Sequence, residues 1–217
     1  MSVKLIGVTA PHAGHNSAED MIVHMARVSN PKTQAFNSDP ARLIRYLIKN
    51  QHWSPFEMVN VVMEINTTRD IARQILRHRS FSFQEFSQRY ADPTTDLGFE
   101  LREARLQDTK NRQNSIETDD KELQAEWKIK QINLIAESKA AYDWAIENGI
   151  AKEQARVVLP EGNTQSRMYM NGTLRSWIHY CELRRANGTQ KEHMEVAEDC
   201  WKIITERFPN VVAALEQ

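Results

Sequence analysis

A chain of 217 residues is long enough to bury one sizeable core, and 41% hydrophobic with 26% charged residues is a globular balance that excludes disordered and fibrous classes. Twenty-eight Lys and Arg against 29 Asp and Glu leave a net charge of -1, so no overall field draws the chain to nucleic acid or an acidic membrane, and any basic site must be local. Cys181 and Cys200 form neither a disulfide framework nor a CxxC pair and read as core thiols of a reducing, cytoplasmic protein. The first residues are too weakly apolar for a signal peptide, and no later segment approaches the roughly 20 apolar residues of a membrane span.

In chain order, residues 3–9 predict a strand, and Asn16-Ser17-Ala18-Glu19 then caps a helix carrying Met21, Ile22, Met25 and Val28. Asp39-Pro40 starts a second helix, with Leu43, Tyr46 and Leu47 at helical spacing, and Ser54-Pro55 breaks it. The β-branched alternation of 56–65 predicts a strand. Thr67 or Thr68 caps the next helix, read as running to Arg79 with Ile71, Ile75 and Leu76 as its stripe. Residues 92–118 read as a long surface loop with a short strand near 99–101. A helix over 119–148 follows, with Leu123, Trp127, Ile132, Ile135, Tyr142 and Ile146 inside and Gly149 as its C-terminal cap. A short helix at 152–158, a strand at 165–170 and helices at 173–185 and 190–207 complete the chain. No repeat appears and strict βαβ alternation is absent, so the expected fold is α+β. A central mixed or antiparallel twisted sheet is flanked by helices, one of them long, in a single domain over 1–217.

The chemistry-bearing residues gather in two places. From Gln74 to Tyr90, cationic, amide, hydroxyl and carboxylate groups crowd one helix exit and the strand after it. Helical steps put Arg77 and Arg79 on separate faces, which suits two ligands or two subunits, although cations in a last helical turn also complement the helix dipole. Beyond the helix, Glu85, Ser87 and Arg89 share one face of a predicted strand while Phe86 and Tyr90 share the other. The apolar pattern slips at Gln84-Glu85, which predicts a bulge or bend. No Gly-x-Ser-x-Gly elbow surrounds Ser87, so it reads as a hydrogen-bonding serine.

In the second place, Arg175 and His179 share one helical face and Arg184 the opposite one, with Trp177, Ile178 and Cys181 packed inward. His179 by itself reads as a structural histidine and Arg185 as part of a solvated face. Forked guanidiniums in both clusters suit a nucleotide or a phosphate-bearing cofactor. Glu192, His193 and Glu195 lack HExxH spacing and read as a solvated helix face, so no metal is expected. With 7 glycines and neither GxGxxG nor a P-loop, a dinucleotide would bind outside the Rossmann scheme.

Arg77-His78-Arg79, seven residues and then Ser87 resemble the signature of the flavin-dependent thymidylate synthases. His52-Trp53-Ser54-Pro55-Phe56-Glu57 is similar to that family's histidine-containing turn. Residues 155–160, ARVVLP, are similar to its ARxxLP stretch, and Leu174 to His179 with Leu183-Arg184 to its C-terminal active-site helix. The resemblance implies a homotetramer with active sites between subunits that methylates dUMP to dTMP. It would use methylenetetrahydrofolate for carbon, FAD as redox carrier and NADPH as reductant.

By that similarity Gln74, Arg77, Glu85, Phe86, Ser87, Gln88, Arg89, Arg156 and Arg184 surround dUMP, and Arg184 pairs with the pyrimidine so that loss of the N3 proton makes C5 nucleophilic. Ser54, Arg77, His78, Arg79, Glu85, Thr173, Arg175 and His179 hold FAD, with His52 near the flavin or folate. Thr173 stands where the family commonly has asparagine, Asn171 lying two residues earlier, and Gln88 stands where it often has a small residue. The competing class is a non-enzymatic arginine-rich phosphate or RNA-binding module, which predicts steep salt dependence and no flavin colour.

Overall fold

The computed structural model describes residues 1–12, 14–34 and 39–216. Its elements are β1 (Ser2–Val8), α1 (Ala18–Ala26), α2 (Pro31–Gln34), α3 (Pro40–Lys49), β2 (Asn60–Thr68), α4 (Arg69–Ile75), β3 (Ser82–Glu85), α5 (Pro93–Asp96), β4 (Arg105–Gln107) and β5 (Ser115–Glu117). After them come α6 (Lys121–Glu147), α7 (Lys152–Ala155), β6 (Gln165–Thr173), α8 (Leu174–Arg184), α9 (Lys191–Arg207) and α10 (Pro209–Leu215). The sheet order is β1-β2-β6-β3 with every pair antiparallel, so the α+β expectation holds in its antiparallel form. A separate hairpin joins β4 to β5.

Side-chain alternation makes the sheet two-faced. Val61, Met63 and Ile65 of β2 and Met168 and Met170 of β6 are buried beneath α1, α3, α4, α8, α9 and α10. On the other face Glu64 accepts from the Tyr169 hydroxyl at 3.0 Å and Asn66 from Arg167 Nε at 2.8 Å. Trp177 of α8 ties the layers together, donating its indole N–H to the Val61 carbonyl at 3.0 Å. Cys181 and Cys200 lie buried in this core as free thiols.

Local chemistry placed most elements well. Ser17 and Asp39 cap α1 and α3 as expected, each accepting a backbone N–H in its first turn. Thr173 caps α8, accepting from Ser176 N. Several expectations fail for identifiable reasons. Residues 54–58 form a 3-10 turn, so the strand read from 56 begins at Asn60 and runs on to Thr68. Pro55 fixes that turn's φ, and pairing with all nine residues of β6 extends the strand. The stretch 92–118 is no loop: it holds α5 and the β4–β5 hairpin, and the strand read near 99–101 is one bridge, Phe99 to Thr164. Helix α10, absent from the reading, is seated by Glu19, which accepts from Val211 N and Asn210 Nδ2. Val28 and Tyr46 are exposed; α1 buries Ile22 and Val23, and α3 buries Ile44 and Leu47.

Helix α6 departs furthest from its expected burial. It buries Gln131, Ser138, Tyr142 and Ala145, while Leu123, Trp127 and Ile132, expected inside, are exposed and Ile135 and Ile146 are half-buried. Its inner contacts are partly polar: Gln131 brackets the Arg102 backbone with two 2.8 Å hydrogen bonds, and Ser138 donates to the Val158 carbonyl at 2.6 Å.

Candidate active site

Helix α4 ends at Ile75, short of the Arg79 read from sequence, because Arg77, His78 and Phe81 each donate a backbone N–H to the third residue back and unwind the chain into turns. The separation of Arg77 and Arg79 therefore comes from the turn and not from two faces of one helix. Arg77 and Arg79 point outward with no side-chain partner among the described residues. His78 and Phe81 point inward. Phe81 packs edge-on to Trp177 at 4.9 Å, in space left by the absent side chain of Gly172.

His78 lies beside α8, its ring perpendicular to that of Tyr180 at 4.9 Å and its Nε2 accepting from Arg184 Nε at 2.9 Å. Burial, then the charge of Arg184, then His179, press its pKa down to about 4. Next to it, His193 of α9 is wholly buried, correcting the solvated-face reading of Glu192 and His193. Gln74 Nε2 donates to Gln190 Oε1 at 2.8 Å, so Gln74 Oε1 is left to accept from His193 Nδ1 at 3.2 Å. His193 Nε2 then accepts from the Tyr180 hydroxyl at 3.1 Å. Burial, Arg184 and His78 hold His193 neutral, its pKa pressed to about 3. Glu192 anchors the far end between Arg105 Nη2 at 2.6 Å and Arg102 Nη1 at 2.9 Å. Burial acts to raise its pKa, but Arg102, Gln190 and Arg105 outweigh it and the carboxyl stays low.

On the opposite side of α8, Arg175 and His179 share one face as read, and they line a cavity of about 570 Å³ with Trp53, Glu57, Ser80 and Ser176. Arg175 Nη1 pairs with Glu57 Oε1 at 2.6 Å. His52 stands exposed just before the 3-10 turn and Ser54 exposed at its first position, and the Thr173 hydroxyl is engaged with Ser176. The Asn171 side-chain oxygen is buried without a partner.

A third group lies apart from Arg184. Glu85 accepts from Arg73 Nη2 at 2.7 and 2.9 Å and from Ser166 Oγ at 2.8 Å, with Arg69 Nη1 at 3.7 Å. Strand β3 runs to Glu85 with no bulge at Gln84-Glu85, Phe86 N still donates to the Arg167 carbonyl at 2.8 Å, and the chain turns only at 88–90. Glu85, Ser87 and Arg89 therefore do not share a strand face. Ser87 Oγ accepts from Arg89 N at 3.4 Å, consistent with a hydrogen-bonding serine. Gln88 is buried with its side-chain nitrogen unpartnered. Arg89 Nε sits 3.5 Å from Glu153, and Arg156 Nε donates to the Glu153 carbonyl at 3.3 Å. Among the described residues no hydrogen bond or ion pair joins this group to Arg184.

A family sequence model described as thymidylate synthase complementing protein matches residues 12–210. The chain belongs to the flavin-dependent thymidylate synthase family. A probable member from Paramecium bursaria Chlorella virus 1 is 48% identical over all of this chain and 99% of its own length, and one from Synechocystis sp. is 46% identical over the full length of both. Among solved structures, a UMP/dUMP methylase, PolB, from Streptomyces cacaoi, bound with 5-Br dUMP, aligns with a TM-score of 0.80 at 25% identity. That alignment covers 99% of this chain and 94% of the other.

Sequence reasoning missed Tyr180, His193, Glu57 and Arg73. For His193 a signal existed: with Val196, Ala197, Cys200 and Ile204 it falls on one apolar stripe of α9 at helical spacing. For Arg73 with Glu85, and for Glu57 with Arg175, no local signal existed, since each partnership joins distant elements.

Proposed function

We propose that this enzyme carries out the reductive methylation of dUMP to dTMP, with FAD as cofactor, methylenetetrahydrofolate as carbon donor and NADPH as reductant. The observation that carries the reading is the two-sidedness of α8. One side offers the cavity with Arg175, His179 and the Trp53 ring; the other offers Arg184, whose terminal nitrogens have no partner among the described residues. The residues suit a flavin: an aromatic wall, an arginine and a histidine line a cavity of about 570 Å³, and Arg77 and Arg79 stand unpaired at the adjoining turn for a pyrophosphate. Ser54, His78, Thr173 and Glu85 complete the proposed flavin set, with His52 at its edge. When bound, FAD would supply the oxidation–reduction chemistry needed to take carbon from the methylene to the methyl level.

The protein's own part is electrostatic. Arg184 holds its charge against the pyrimidine edge, favours loss of the N3 proton and so raises electron density at C5. Gln74 and Arg77 join it at the nucleotide. Glu85, Phe86, Ser87, Gln88, Arg89 and Arg156 belong to the same substrate set, yet they form a separate group within one chain. A homotetramer with sites between subunits brings the two groups together.

Helix α6 supports such an assembly: Ala125, Ile129, Ile132, Ala136, Ala140 and Trp144 make an exposed apolar stripe opposite its buried side. The proposal takes 1–217 as one catalytic domain working in the cytoplasm; the buried free thiols suit a reducing compartment, and among the described residues no helix is long and apolar enough to cross a membrane. Arg184→Ala should retain flavin colour and fold while abolishing exchange of the uracil C5 hydrogen with solvent. Exchange at the parental rate would overturn the assignment.

A further inference from the structure

Arg184 is steered by one side chain. Its Nε donates to His78 Nε2 at 2.9 Å, and because a guanidinium cannot accept, that imidazole nitrogen must be bare and the ring proton must sit on Nδ1. The groups facing the ring are Arg184, His179 and Tyr180 from α8 and His193 from α9; none is an acid that would draw a second proton onto it. The ring plane is fixed by Tyr180 at 4.9 Å and by Phe81 at 6.5 Å, both edge to face.

A guanidinium can grip a two-atom edge through Nε and one terminal nitrogen, or through both terminal nitrogens. With Nε occupied by His78, the end-on pair is what remains, and neither terminal nitrogen has a partner among the described residues. A pyrimidine that has lost its N3 proton presents N3 and an adjacent carbonyl oxygen as two neighbouring acceptors along one edge. An end-on fork matches that pair and meets a donor when N3 is still protonated, so it discriminates in favour of the ionised ring.

We infer that His78 is a positioning residue for Arg184, accepting from its Nε so that the two terminal nitrogens are committed to the ionised edge of the pyrimidine. The inference rests on the assignment of Arg184 to the pyrimidine made above. Fluorine NMR of 5-fluoro-dUMP bound to the flavin-saturated enzyme, followed across pH, reads N3 ionisation directly. His78→Ala should lower the ionised fraction of bound ligand at neutral pH about tenfold, the scale of one lost hydrogen bond to a charged group. His78→Gln, whose side-chain oxygen can take the place of Nε2, should restore most of it. If His78→Ala titrates like the parent while Arg184→Ala does not, the positioning role is wrong and the Arg184 assignment survives. Loss in His78→Ala without recovery in His78→Gln also defeats the role, since the ring would then serve packing alone. An Arg184→Ala enzyme that still ionises the ligand overturns the Arg184 reading and takes this inference with it.

Discussion

At Gly172 there is no room for a side chain: a Cβ would overlap the Phe81 ring, which is itself wedged against Trp177 and Tyr180. The turn that presents Arg77 and Arg79 outward and His78 inward is pinned at this ring, so a methyl group on β6 acts on the site from beneath. Gly172→Ala should cost about 1–3 kcal/mol of stability by overpacking and weaken flavin retention, both readable from thermal melts and visible absorbance of the purified protein. An unchanged melting temperature would mean that Phe81 can move freely and does not pin the turn. The exposed pair Arg175–Glu57 is a different case. At 49% and 40% side-chain exposure it lies in the range where ion pairs add little stability, so its contribution is to the shape of the cavity.

Beside α8 and α9, His193 is buried and His78 half-buried, both in the neutral form, and this makes the packing of these helices sensitive to acid. His78 is held at about 4 and His193 at about 3, both below the ordinary 6.5, first of all by burial. A depressed pKa means that the unfolded chain takes up the proton first. The stabilising contribution is complete above pH 6.5 and drains away as pH falls through 4 for His78 and 3 for His193. Across the interval from 6.5 down to 4.5 the two histidines favour the unfolded chain, opposed only by the Glu19 carboxyl, which burial raises above the ordinary 4.5, so the histidines dominate two to one. The melting temperature should already fall across that interval, and calorimetry should record net proton uptake on unfolding. A flat profile there would show that these two rings can be protonated in place.

Over the whole molecule, the exposed stripe of α6 is a face that one chain leaves uncovered, and a second copy is its proposed cover. Ile129→Glu combined with Ala136→Glu should shift the mass measured by light scattering to a smaller species and abolish dUMP turnover, while α6 itself, whose buried side is untouched, remains folded. A parental mass in that variant would place the subunit contacts elsewhere. The local sequence was sufficient for capped elements: Ser17, Asp39 and Thr173 marked helix starts through bonds to their own next turn, and the β-branched alternation of 56–65 marked a strand. It was also sufficient for placing Arg175 and His179 opposite Arg184, since that follows from the pitch of one helix.

Other features required the tertiary structure. Where α4 stops is decided by the need of residues 82–85 to pair with β6, and His193 is buried because Tyr180 and Gln74 converge on it from elements far away in sequence. Helix α6 carries apolar residues all round, so periodicity could not say which side turns inward. Periodicity and capping are properties of neighbours along the chain, whereas burial, the His78–Arg184 bond and the separation of the two substrate groups depend on segments that meet only after the sheet has formed.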